Sequence, residues 1–156
     1  MLTGEDGRTR LIDFSVSQLL PAAPAAAAAI DGAASAAGAS LAGSARTPGT
    51  PAFTAPECCS GGSFDGAAAD VWALGISLYT MLTGAPPFMG NTLVETYQRI
   101  QSEELPQPPG LEADTPVGHL LARMLDKDPG KRATISEVLE DAWVKQHAGI
   151  AQIAPE

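Results

Sequence analysis

Asp13 is the first residue of this chain whose setting suggests chemistry. It stands in LIDFSVSQLL, residues 11–20, with Leu11 and Ile12 before it and Phe14 behind it. A carboxylate among bulky apolar neighbours can hold a hard, oxygen-seeking cation, or it can end a strand in a turn. The triplet alone leaves both readings open. The two cysteines, Cys58 and Cys59, are adjacent. Sequence neighbours rarely bridge each other, so they form no disulfide framework and fit a reducing compartment. His119 and His147 are the two histidines, too few to complete a Cys/His metal cluster.

The totals narrow the field further. A chain of 156 residues has room for one domain. Apolar residues make up 45%, but much of that is alanine in one segment, and aromatics at 5% are thin for a core of this length. The net charge of -9 argues against a nucleic-acid surface, which needs a basic patch to neutralise phosphates. The opening MLTGEDGRTR lacks a signal-peptide core. No run of about twenty strongly apolar residues is present to cross a membrane.

Several elements must position whatever site exists. Residues 8–14 read as a strand edge. Residues 21–45 are low in complexity, and their prolines and glycines interrupt any helix, so a mobile loop insertion is expected there. RTPGTPAFTAPE, residues 46–57, carries three prolines, which predicts an extended, turn-rich segment without regular helix or central strand. From residue 67 a helix is predicted. Val71, Leu74, Leu78 and Leu82 lie on one side of it and Trp72, Ile76 and Tyr79 on another, as in a helix buried all round. Gly75 suits close packing, and Gly84 suits a C-terminal cap before Pro86 and Pro87.

A second helix, capped by Asn91, carries Leu93, Tyr97 and Ile100. A third opens at Thr115 and Pro116 and presents Val117, Leu120, Leu121, Met124 and Leu125. Thr134 and Glu137 have capping-box spacing at the head of a helix over TISEVLEDAWV.

Four motifs stand in a fixed order: Asp13-Phe14, GTPAFTAPE (49–57), DVWALG (70–75) and DKDPGKRAT (126–134). Each is weak alone. Together they resemble the C-terminal lobe of a eukaryotic serine/threonine protein kinase, from its Asp-Phe-Gly position to the end of the domain. DFSVSQ, TPGTPAFTAPECC and DTPVGHLLARMLDKDPGKR look most like calcium/calmodulin-dependent protein kinase kinases and the plant kinases that activate Snf-related kinases, also called geminivirus Rep-interacting kinases. The resemblance implies a mainly α fold, a kinase C-terminal-lobe fragment of a two-lobed α+β parent, with the N-terminal lobe absent. Residues 1–145 would form a partial kinase domain with the insertion at 21–45, and 146–156 a tail.

The same resemblance implies a role for each matching residue. Asp13 would coordinate the Mg2+ that bridges the phosphates of ATP, with Phe14 packed beneath it. Ser15 replaces a glycine and would restrict the Asp13-Phe14 flip that switches such enzymes off. Thr50 would hydrogen-bond the catalytic loop. Pro51, Ala52, Phe53 and Thr54 would line the surface beside the residue that follows the phosphorylated one. Glu57 would pair with Arg132 in a buried ion pair, Asp70 would accept hydrogen bonds from catalytic-loop backbone, and Trp72 would be core. Thr47, beside Arg46, would be a regulatory phosphosite.

ATP and Mg2+ are the implied cofactors. The implied partner is a protein substrate, the activation loop of a downstream Snf-related or AMP-activated-type kinase, with neither nucleic acid nor membrane involved. A cytoplasmic location is expected, with a nuclear one also open. The sequence contains no Gly-rich phosphate loop, no VAIK-type lysine with its glutamate helix and no HRD…N loop. Phosphoryl transfer is mostly positioning and charge stabilisation. The chain alone is therefore expected to be inactive, as a truncated gene product starting at Met1, and marginal in stability. The alternative is a non-catalytic kinase-lobe module that binds partner kinases through the positioning loop and an exposed helical face around Leu93, Tyr97 and Ile100.

Overall fold

The computed structural model describes residues 2–3, 9–10, 50–59 and 64–147. The chain divides into two compact units, Met1–Ala39 and Ser40–Glu156. In the first, β1 (Leu2–Thr3) and β2 (Thr9–Arg10) form an antiparallel ladder, with Leu2 opposite Arg10 and Thr3 opposite Thr9. Strand β2 falls at the start of the expected 8–14 strand. Asp13, Phe14, Ser15, Thr47 and the insertion 21–45 lie outside the described residues.

The second unit is helical where described. A 3-10 turn at Pro51–Phe53 is followed by α1 (Pro56–Cys59), α2 (Gly66–Thr83), α3 (Leu93–Ser102), α4 (Pro116–Met124), α5 (Ile135–Glu140) and α6 (Ala142–His147). The proline-rich segment therefore does contain helical pieces. Pro51 and Pro56 each open one, where a missing N–H costs nothing and φ is already suited to a helix.

Local chemistry sets the helix ends. The Asp65 side chain accepts from Ala67 N at the head of α2. Gly84 ends α2 at φ 86, a left-handed conformation that glycine adopts without strain, and its N–H bonds Thr80 O. Thr92, rather than Asn91, caps α3: its hydroxyl accepts from Glu95 N, and the Glu95 carboxylate in turn takes the Asn91 N–H. Thr115 caps α4 and Pro116 sits in its first turn. The Thr134–Glu137 capping box is present.

The expected last helix is two helices. At Asp141 the backbone turns extended (φ -61, ψ 137), and the Asp141 side chain accepts from Trp143 N to start α6. Helix α6 then runs to His147, so Gln146 and His147 of the expected tail are helical.

Two clusters form the core around α2. Trp72, Ile76 and Tyr79 pack with Ala55, Phe88, Ile100, Leu111, Leu121 and Leu125. Val71 packs with Leu120, Met124, Ala133 and Val138. Full burial of one such large side chain stabilises by roughly 1.5–3 kcal/mol. A Cβ at Gly75 would meet Leu125 Cδ2 at 2.9 Å and Met124 Cβ at 3.1 Å, so this glycine lets α2 close on the end of α4.

Two expectations need correction. The helix read as buried all round exposes Leu74, Leu82 and, at 69%, Met81. Sequence shows only that every side is apolar; which side finds a partner depends on packing. Ile100, assigned to an exposed face, is fully buried, and the exposed apolar side chains near the head of α3 are Met89, Leu93 and Val94. No described helix is long and apolar enough to cross a membrane.

Candidate functional site

The turn Thr50–Thr54 is built from short-range constraints. Pro51 sets the first helical φ. Thr50 O accepts from Phe53 N at 3.0 Å, and Pro51 O from Thr54 N at 3.1 Å. Ala52 and Thr54 are buried, Phe53 is half-buried against the larger core cluster, and Thr50 is exposed. Helices α2 and α3 both pack against this turn. Pro51 to Thr54 thus sit on the core edge as a short ledge with few conformations.

Arg132 locks the chain just beyond the ledge. Its Nη1 and Nη2 donate to the two Glu57 carboxylate oxygens at 2.7 and 2.8 Å. Nη1 also donates to Ala68 O at 2.8 Å, and Nε to Asp126 O at 3.0 Å. The Arg132 side chain is fully buried and that of Glu57 nearly so. A guanidinium suits this place because its fixed fork matches a carboxylate with two parallel bonds and keeps donors for carbonyls. One side chain ties α1 to α2 and to the loop before α5. Its guanidinium carbon also lies 5.1 Å from the centroid of the Trp72 ring.

Trp72 is the common surface of a second contact. Lys127 Nζ lies 5.0 Å from the Trp72 centroid and 3.6 Å from that of Phe88, and donates to Ile100 O in α3. The two rings stack with centroids 5.8 Å apart. Burial pushes the Lys127 ammonium down from 10.5 to about 8; Arg132 adds to the push, while Glu103 and Cys59 oppose it. Trp72 is fully buried, and its Nε1 has no hydrogen-bond partner among the described residues. Asp70 is exposed on α2, where partial desolvation raises its carboxyl above the usual value.

The adjacent cysteines sit at the end of α1. Cys59 Sγ donates to Ala55 O at 3.4 Å, and both thiols are free. Burial, with help from the Glu57 charge, pushes Cys58 from 9.0 up to about 11. Only the thiolate is nucleophilic, so two pH units reduce its fraction about 100-fold. Cys58 is expected to alkylate with iodoacetamide at pH 8 about 100-fold more slowly in the folded chain than in urea. Equal rates in the two states would refute this. Because the raised group keeps its proton longer when folded, its stabilising effect is full below pH 9 and is lost as pH rises toward 11.

The structure brings Glu57, Arg132, Trp72 and the Pro51–Thr54 ledge into one connected assembly. Asp70 has no described bond to it. Asp13, Phe14, Ser15 and Thr47 lie outside the described residues, and among the described ones no group of three or more His, Cys, Asp or Glu could hold a metal. Sequence reasoning missed Lys127 and the Ala68 carbonyl. A lysine between two aspartates reads as a solvated charge, and nothing local marks it for an aromatic surface.

Comparison with known proteins bears on this assembly. The family profile of the protein kinase domain matches residues 1–144. Serine/threonine-protein kinase GRIK1 of Arabidopsis thaliana is 37% identical over 149 residues, covering 96% of this chain and 33% of the relative. Serine/threonine-protein kinase GRIK2 of the same plant is 46% identical over 146 residues, covering 92% and 31%. CBL-interacting protein kinase 10 of Oryza sativa subsp. japonica is 40% identical over 99 residues, covering 64% and 22%. The chain thus spans about a third of the length of the two Arabidopsis relatives.

Proposed function

The chain belongs to the protein kinase family, and we propose that it is the substrate-seating part of a serine/threonine kinase that transfers the γ-phosphate of ATP to protein. The observation that carries this is the Arg132–Glu57 clamp, which fixes the chain next to the Pro51–Thr54 ledge. A ledge held this way can present one constant surface to an extended peptide, and positioning of this kind supplies much of the rate in phosphoryl transfer. The finer reading is that the substrate is the activation loop of a Snf-related or AMP-activated-type kinase. TPGTPAFTAPECC and DTPVGHLLARMLDKDPGKR support it by their likeness to kinases that activate such enzymes.

In the complete enzyme Mg2+ would neutralise the phosphate oxygens, and Asp13 is the residue proposed to hold it. Ser15 is proposed to bias Asp13 toward its metal-holding position. Thr47 is proposed as the regulatory phosphosite; phosphopeptide mapping of active full-length enzyme with Thr47 unmodified would rule it out.

Two assays test the proposal. The purified chain is expected to transfer no phosphate and to show no micromolar binding of Mg-ATP by titration calorimetry, while the full-length parent phosphorylates an activation-loop peptide of a Snf-related kinase. In that parent, Phe53→Glu is expected to raise KM about tenfold for peptides with an apolar residue after the acceptor. Unchanged KM for every peptide tested would remove the ledge from substrate recognition. The exposed Met89, Leu93 and Val94 favour a second reading, a binding module for partner kinases. That reading gains if the chain captures a Snf-related kinase and no full-length parent phosphorylates it.

A further inference from the structure

We propose that the cavity beside the first turns of α4 is a binding site for an arginine side chain of a basic protein segment. The cavity holds about 400 Å³ and opens between the head of α4 and the α5–α6 junction. Small-ligand pockets typically hold ~300–1,000 Å³. Asp114 and His119 line it from the α4 side, Asp141 and Trp143 from the junction. The proposal goes beyond the function given above and rests on neither the Arg132–Glu57 clamp nor the Pro51–Thr54 ledge.

The lining decides the class of ligand. Asp114 is exposed and has no described partner. Asp141 lends Oδ1 to Trp143 N, and its Oδ2 lies 3.9 Å from Arg123 Nη1. Arg123 also pairs with Glu137, so the two cavity carboxylates together stay under-neutralised. The dipole of α4 favours an anion at its head, but few donors remain there to hold one. Pro116 has no N–H, and the Gly118 N–H is taken by the Thr115 hydroxyl. A metal ion is no better served, because Asp114, His119 and Asp141 line one cavity without forming a group that could hold one. Carboxylates set apart beside the apolar Pro116 and Ala142 suit an extended organic cation.

Trp143 selects among such cations. Its ring stacks on His147 with centroids 4.7 Å apart, and the Asp141 cap fixes its backbone, so the indole is set before any ligand arrives. A guanidinium is flat and weakly hydrated, and it can lie on an indole while its fork reaches carboxylates. A lysine ammonium is compact and strongly hydrated, and it gains less from the ring. The arginine methylenes would cover Pro116 and Ala142. The net charge of -9 draws a basic segment toward the chain and speeds the encounter.

The test is an NMR titration of the isotope-labelled 156-residue chain with the peptide Ac-Ala-Arg-Ala-NH2 and its lysine and citrulline counterparts, read at the two indole N–H signals. The Trp143 signal is expected to shift with a Kd of about 1 mM for the arginine peptide. Binding is expected to be about fivefold weaker for lysine, and the uncharged citrulline peptide is expected to give no saturable shift. The Trp72 signal comes from a fully buried ring, stays in place and reports an intact core. Asp114→Asn is expected to weaken binding about threefold, and Asp114→Asn with Asp141→Asn about tenfold. Asparagine at 141 keeps an oxygen for the Trp143 N–H. Glu104→Gln removes the same charge outside the lining and is expected to leave Kd unchanged. An unmoved Trp143 signal, a citrulline response equal to that of arginine, or equal weakening by Glu104→Gln and Asp114→Asn overturns the site. Methylguanidinium, which lacks the stem and the peptide, is expected to bind about fivefold more weakly than the arginine peptide. Equal binding would assign the cavity to a small free cation and overturn the protein-segment reading. No readout involves phosphoryl transfer, so a failed kinase assay and a failure here are told apart.

Discussion

Arg132→Met is expected to destabilise the chain by about 3–5 kcal/mol in urea denaturation followed by tryptophan fluorescence. The substitution keeps most of the buried stem and removes the charge. It leaves the Glu57 carboxylate nearly buried with no partner, and it strips Ala68 O and Asp126 O of their donor. Uncompensated burial of a charge dominates the loss, well above the ~1 kcal/mol of an ordinary hydrogen bond. Against a typical total of about 5–15 kcal/mol, such a loss removes a large share of a small domain's stability.

The companion variants separate the causes. Glu57→Gln retains the shape and the carbonyl bonds of Arg132, so its cost is expected near 1.5–3 kcal/mol. Glu57→Leu with Arg132→Met replaces the pair by apolar groups, and is expected to be less destabilised than Arg132→Met alone. A loss under about 1 kcal/mol for Arg132→Met would show that the clamp is dispensable.

Gly118→Ala is the second large effect. Glycine in a helix ordinarily gains about 1 kcal/mol from this change. Here the new Cβ would lie 2.0 Å from Glu112 O and 2.7 Å from both Glu112 C and Leu111 O. All three atoms are backbone, so the conflict ends only if the 111–115 loop moves off the first turns of α4. That loop is itself fixed, because Thr115 N and Oγ1 both donate to Glu112 O. The expected net loss is about 3 kcal/mol or more, measured as a drop in urea midpoint.

Gly75→Ala serves as the contrast. Its nearest conflict is Leu125 Cδ2 at 2.9 Å, the end of a side chain that can rotate. It should cost clearly less. Equal stability of Gly118→Ala and the parent chain would mean that the close approach at α4 does not exist in solution.

These two positions differ in how far they were legible beforehand. Arg132 and Glu57 could be paired from the sequence only by likeness to a family, since 75 positions separate them. Gly118 offered no signal at all, because its close neighbour is a carbonyl and any residue type supplies one. The helix caps were far more readable. Thr115, Thr134 with Glu137, and Gly84 act where their types and spacing placed them. The cap of α3 was misassigned by one residue because Asn91 and Thr92 both favour that role. The pattern could not decide between them until Glu95 bonded to each.

Within the described residues, sequence alone determined the mainly helical character, most helix ends and the apolar membership of the core. These depend on contacts within about four residues, where the order of side chains is itself the geometry. Tertiary structure decided the rest. It chose which side of the apolar α2 is covered, turned Ile100 inward, and brought Arg132 and Lys127 to Trp72. Those outcomes depend on segments distant in sequence closing on one another and on which buried donor finds which carbonyl. No local pattern encodes that choice, because the same residues would satisfy their caps and periodicity in many other packings.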